Sequence, residues 1–129
     1  MISLQRMHHI AIIASDYARS KHFYCQVLGF TLIGEHYRAE PDSWKGDLAL
    51  QGEYLIELFS FPDAPGRLSR PEAQGLRHLA FSVADIDGAI ASLEADGVAC
   101  EPVRVDALTG KKFTFFTDPD RLPLELYEA

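Results

Sequence analysis

Apolar and polar positions follow the same order twice along this chain. The first stretch reads His9-Ile10-Ala11-Ile12-Ile13-Ala14-Ser15-Asp16 and the second His78-Leu79-Ala80-Phe81-Ser82-Val83-Ala84-Asp85, with His to His and Asp to Asp each 69 positions apart. Each run is a strand ending at an aspartate suited to accept from the free N–H groups of a helix start. Each helix then stops at a glycine, Gly29 in Leu28-Gly29-Phe30 and Gly97 in Asp96-Gly97-Val98, since glycine takes the left-handed conformation that closes a helix. Ile86, Ala89, Ile90 and Leu93 recur at the spacing of one buried helical face. The first helix shows an apolar group near its end, Phe23, Tyr24, Val27 and Leu28, with Arg19 and Lys21 expected to face water.

Three further strands follow in each copy, at 30–37, 47–51 and 54–61 and then at 99–105, 112–117 and 122–127. Turns fall at Gln51-Gly52 and at Asp118-Pro119-Asp120. The pattern predicts an α+β fold of two tandem βαβββ modules with mixed, curved sheets forming a metal-containing cleft. One domain is expected over 1–129, with module one at about 5–61, a linker rich in Pro, Gly and charge at about 62–75, and module two at about 76–129.

Strand alternation assigns faces. Leu79, Phe81 and Val83 make an apolar face for the helix, which leaves His78 with Ala80 and Ser82 on the other side. Leu122, Leu124 and Leu126 divide in the same way from Glu125, as do Ile56 and Leu58 from Glu57, and Ile10 and Ile12 from His9. Two imidazoles and two carboxylates therefore point away from the helices. Taken singly, a strand His is a satisfied core or edge residue, and a strand Glu reaches solvent or pairs with an Arg. Taken together at one repeat spacing they suit a divalent cation, which offsets the cost of burying two carboxylates. His8 has the opposite phase and reads as structural; His22 and His36 read as solvated.

Composition narrows the function. A 47% hydrophobic chain of 129 residues can bury a core without staples. Its net charge of −7 supplies no basic face for nucleic acid. No apolar run approaches the roughly 20 residues of a membrane span, and no export signal is visible, so a soluble, cytoplasmic protein is expected. Cys25 and Cys100 read as reduced thiols packed in the core.

These stretches, with Ser20-Lys21-His22-Phe23-Tyr24, Ile56-Glu57-Leu58, Asp118-Pro119-Asp120 and Leu124-Glu125-Leu126, resemble the vicinal-oxygen-chelate superfamily of glyoxalase I, bleomycin-binding proteins, thiol transferases, epimerases and extradiol dioxygenases. The resemblance to glyoxalase I implies one divalent ion (Zn, Ni, Fe, Mn or Co) on His9, Glu57, His78 and Glu125. It also implies Glu57 and Glu125 as candidate catalytic bases, with Glu125 preferred. It implies lyase or isomerase action on a small α-oxo or α-hydroxycarbonyl substrate or its thiol adduct, in a homodimer. The alternatives within the superfamily are a non-enzymatic drug- or metabolite-binding protein and a thiol transferase or dioxygenase. Two departures stand out: Arg121 occupies the position where the family's Asp-Pro-Asp turn usually ends in Gly, and no glutathione-holding motif is recognisable. Substrate contacts would be sought in Tyr37 to Gly46, with Trp44, and in Thr109-Gly110-Lys111-Lys112-Phe113.

Overall fold

A computed structural model describes all 129 residues. The chain divides into two compact units, Met1–Gly66 and Arg67–Ala129, each built from a four-stranded mixed sheet and little helix. In the first unit β1 (Ile10–Ala14), α1 (Tyr17–His22), β2 (Thr31–Arg38), β3 (Ser43–Leu50) and β4 (Glu53–Ser60) follow in order. The second unit comprises β5 (Leu79–Val83), α2 (Ile86–Ala95), β6 (Arg104–Val105), β7 (Lys112–Thr117) and β8 (Pro123–Glu128). The sheet orders are β1-β4-β3-β2 and β5-β8-β7-β6, so the first and last strands of each unit lie side by side. They run parallel, with Ile10 opposite Ile56 in one unit and Leu79 opposite Leu124 in the other.

The helices start and stop as the pattern predicts. Asp16 accepts from the Arg19 N–H and Asp85 from the Gly88 N–H, each cap contributing about 1 kcal/mol. Gly29 and Gly97 follow the helix ends at φ 87° and 80°, where a side chain would clash with the preceding backbone. The first helix departs from regularity: beyond His22 it widens into a π-helical stretch, Phe23–Val27, closed by Leu28 N–H donating to the Phe23 carbonyl at 3.0 Å. The widening accompanies burial of the successive rings of Phe23 and Tyr24. Lys21 does not simply face water, because it pairs with Glu35 at 2.8 Å.

The core of each unit is the helix side of its sheet. In the second unit Ile86 and Leu93 of α2 are buried together with Leu79, Leu122, Leu124 and Leu126. In the first, Ile12, Ala14, Leu48, Ile56 and Leu58 are buried with Tyr17, Phe23 and Tyr24. Each large apolar side chain contributes roughly 1.5–3 kcal/mol through removal from water. Gly46 is required on β3 because Tyr17 stands over it: a Cβ there would lie 2.3 Å from the Tyr17 hydroxyl oxygen. Cys25 and Cys100 are half-buried rather than core residues. No helix is long and apolar enough to cross a membrane.

The strand expected at 99–105 shrinks to Arg104–Val105. Pro102 has no N–H to give a ladder, and the segment is held instead by Glu101 N–H to the Phe115 carbonyl at 2.9 Å and Thr114 Oγ1 to the Glu101 carbonyl at 2.7 Å. The Asp118 turn aims β8. Its buried carboxylate accepts from the N–H groups of Asp120 (2.8 Å) and Leu122 (2.9 Å), and Arg121 completes the turn at φ 68°. A left-handed residue with a Cβ costs about 1–2 kcal/mol, of which glycine's extra unfolded-state freedom would return part. Arg121→Gly is therefore expected to raise stability by about 0.5–1 kcal/mol, read as a higher urea midpoint at unchanged slope; a lower midpoint would mean that the Arg121 side chain contributes more than the turn strain removes.

Candidate functional site

Glu57 lies in β4 and Glu125 in β8, while His9 and His78 each stand one residue before their strands begin. The two units present these residues in the same way. Glu57 is paired with Ala11 in the parallel ladder of the first unit, and Glu125 with Ala80 in that of the second. The histidine lies two residues before that alanine each time, so it shares the glutamate's face, opposite the helix. The first unit brings imidazole and carboxylate within 3.7 Å, the second places His78 and Glu125 on one face, and no group of three or more His, Cys, Asp or Glu side chains that could hold a metal is gathered.

Around the equivalent pairs the surroundings differ. In the first unit His9 Nε2 lies 3.7 Å from Glu57 Oε1, and its ring stacks on Tyr54 at 5.3 Å. His8, read from strand phase as structural, touches the pair: its Nδ1 is 2.8 Å from His9 Nδ1 and its ring meets Tyr54 edge-on. Glu57 Oε2 accepts from Tyr54 at 3.2 Å and pairs with Lys45 at 3.4 Å. Asp47 joins them, accepting from Lys45 at 2.8 Å and from Tyr54 at 2.9 Å. Burial would raise the Asp47 carboxyl, but the Lys45 ammonium and the Tyr54 hydroxyl outweigh it and hold Asp47 below the ordinary carboxylate range. Burial and then the bond to Asp47 push the Tyr54 phenol up, which keeps it a donor.

In the second unit the glutamate's cross-strand neighbour is aromatic. Phe115 is paired with Glu125, and the His78 ring meets Phe115 edge-on at 5.1 Å. His78 Nδ1 is buried without a hydrogen-bond partner. Glu125 is half-buried and held by no hydrogen bond or ion pair. His78, with its unpartnered buried nitrogen, and the half-buried Glu125 are donor types that a borderline divalent ion accepts, as are His9 and Glu57 in their own unit.

Two expected contact regions are otherwise engaged. Trp44 lies on the helix face, stacked on Tyr17 at 5.4 Å, because it alternates with Lys45, which faces Glu57. In the 109–113 segment Thr109 is bonded to Tyr127 and Lys111 Nζ donates to the Ala129 carbonyl at 2.6 Å. The network of Lys45, Asp47 and Tyr54 was not among the residues singled out from sequence. Lys45 and Asp47 share Glu57's face by simple register, but Tyr54 does not. A bulge at Leu55, just before Ile56, pairs Tyr54 with Ala49 while Ile56 stays with Leu48, and that shift re-aims the tyrosine.

The family model for the Glyoxalase/Bleomycin resistance protein/Dioxygenase superfamily matches residues 6–126. The chain belongs to this superfamily. It is similar to the uncharacterized protein YaeR of Escherichia coli (strain K12), 69% identical over 99% of both chains. It is similar also to the uncharacterized protein YwkD of Bacillus subtilis (strain 168), 62% identical over 97% of this chain and 98% of the other. Among solved structures, a glyoxalase family protein from Enterococcus faecalis is 51% identical with a TM-score of 0.89, covering 96% of this chain and 98% of its own. Membership in the superfamily accounts for the doubled module and leaves the reaction to the site.

The depressed Asp47 carboxyl makes the first unit acid-sensitive. A carboxyl whose folded pKa is below its unfolded value contributes stability in full above about 3.9, and loses it as pH falls through the folded value. Asp47→Asn is expected to be less stable than the parent at pH 7 and to lose less on going to pH 3, measured by urea unfolding at both; parallel losses in the two proteins would show that Asp47 is not held ionised by Lys45 and Tyr54.

Proposed function

We propose that this protein is a metal-dependent lyase or isomerase of the glyoxalase I type. It acts as a cytoplasmic homodimer on a small α-oxo or α-hydroxycarbonyl compound, with one divalent ion held by His9, Glu57, His78 and Glu125. The observation that carries this reading is the matched register of the two units: a histidine two residues before an alanine that faces a glutamate across a parallel pair. A satisfied core histidine would need a partner that His78 Nδ1 lacks. The intact set of two imidazoles and two carboxylates favours an enzyme over a binding protein. Zn, Ni, Fe, Mn and Co all accept these donors.

A divalent ion bound there would polarise a substrate carbonyl and stabilise the charge that develops on its two vicinal oxygens. The protein must then supply a base. Glu57 is tied to Lys45 and Tyr54, whereas Glu125 has only Phe115 across the ladder and no bond to break before it moves. Glu125 therefore takes the C–H proton from the hydroxyl-bearing carbon and returns it to the carbonyl carbon, while the hydroxyl proton passes to the former carbonyl oxygen, so that hydroxyl and carbonyl exchange places with no atom gained or lost. Phe115 faces it across the ladder from β7, and Tyr127 lies two residues further along β8.

Elemental mass spectrometry of purified protein is expected to find about one transition metal per site, lost in His78→Ala. Glu125→Gln is expected to keep much of the metal and to lower kcat with methylglyoxal and thiols by about 10²–10⁴. Wild-type protein that holds no metal and takes up none of Ni, Zn, Mn or Fe would overturn the enzyme reading in favour of ligand sequestration; metal with undiminished turnover in Glu125→Gln would remove Glu125 as the base.

A further inference from the structure

The second unit contains a cavity of about 400 Å³, a size that suits a small metabolite. His78 and Phe115 form part of its wall, and four arginines, Arg67, Arg70, Arg77 and Arg104, line the rest. Two carboxylates, Glu72 and Glu101, are the acidic groups among the lining residues, which leaves an excess of two positive charges in this one cavity of a chain whose net charge is −7. None of the arginines belongs to either His-Glu pair.

The four do different things. Arg67 is committed to the wall itself, with Nε on Ser69 Oγ at 2.8 Å and Nη2 on the carbonyls of Leu76 (2.9 Å) and Arg77 (3.0 Å). Those bonds hold the 67–77 segment along the cavity, directly before His78. Arg70 makes no hydrogen bond or ion pair with the protein. Arg77 and Arg104 each have a single exposed carboxylate partner, Glu72 at 2.6 Å and Glu101 at 3.3 Å. Such exposed pairs are weakly held, and each guanidinium keeps free N–H groups. The Arg104 guanidinium also lies over the Phe115 ring at 5.6 Å, the ring whose edge meets His78 at 5.1 Å. One aromatic side chain thus separates an arginine from the imidazole.

We propose that this cavity is the subsite for an anionic end of the substrate, with Arg70, Arg77 and Arg104 receiving a carboxylate or phosphoryl group while the reacting carbonyl or hydroxyl end lies at His78. Planar guanidinium groups recognise both oxyanions through paired N–H donors. Within the proposed substrate class this favours short α-oxo or α-hydroxycarbonyl compounds that carry a carboxylate or phosphoryl group. The proposal rests on the metal reading for the orientation of the ligand, and on the arginines alone for its charge.

Isothermal titration of the metal-loaded protein with glycerate, malate and 3-phosphoglycerate tests it. The three share an α-hydroxycarboxylate and differ at the far end in an alcohol, a carboxylate and a phosphate. Malate or 3-phosphoglycerate is expected to bind about tenfold or more tightly than glycerate, and which of the two does so names the oxyanion. Arg70→Gln and Arg77→Gln, both at exposed side chains, are expected to abolish that excess with metal content and glycerate binding unchanged. If neither acid gains over glycerate, or if both variants keep the gain, the subsite does not exist. Metal content measured on the same samples keeps the two readings apart: a wild-type protein without metal that still shows an arginine-dependent gain retains the anion subsite and loses the metal centre.

Discussion

Parallel pairing of the first and last strands is the constraint on which each unit depends. Ile10 to Ala14 beside Ile56 to Ser60, and Leu79 to Val83 beside Leu124 to Glu128, put the branched apolar side chains of two strands on one face, where a helix covers them. Parallel neighbours need a long connection, and the helix with its two further strands supplies it. Once Ile56, Leu58, Leu124 and Leu126 are committed to the buried face, Glu57 and Glu125 have no choice of direction. A slip of one residue would bury both carboxylates under a helix and expose the leucines, at a cost no local interaction could offset.

On this common frame the two units have taken different surroundings. Position for position, Asp47 faces Glu57 across the ladder in one and Phe115 faces Glu125 in the other. The first glutamate is held by a lysine and a tyrosine. The second has an aromatic neighbour and no bond. A repeat supplies two equal placements, and the neighbouring strand gives them unequal surroundings: one carboxylate bonded to a lysine and a tyrosine, one facing an aromatic ring. Beyond Phe115 the same face continues into the arginine-lined cavity, which has no counterpart among the residues around Glu57.

Much of this was legible in the sequence. The order βαβββ taken twice, the capping aspartates, the closing glycines and the face of all four His and Glu follow from spacing and alternation, because those depend on residues near one another along the chain. The strand that apolar spacing predicts at 99–105 is cut to Arg104–Val105 because Pro102 has no N–H to give a ladder. Trp44 lies on the helix face, stacked on Tyr17, a placement its alternation with Lys45 in the strand makes readable.

What the sequence determined by itself is the set of short-period facts: which residues are apolar every second or every third and fourth position, where a helix can start and stop, and which polar residues must point away from the core. Tertiary structure alone decided what stands beside them. The bulge that brings Tyr54 to Glu57, the pairing of Phe115 with Glu125 and the convergence of Arg67, Arg70, Arg77 and Arg104 on His78 depend on cross-strand register and on the path of an irregular segment. Those are settled by the packing of residues distant in sequence, and no period along the chain records them.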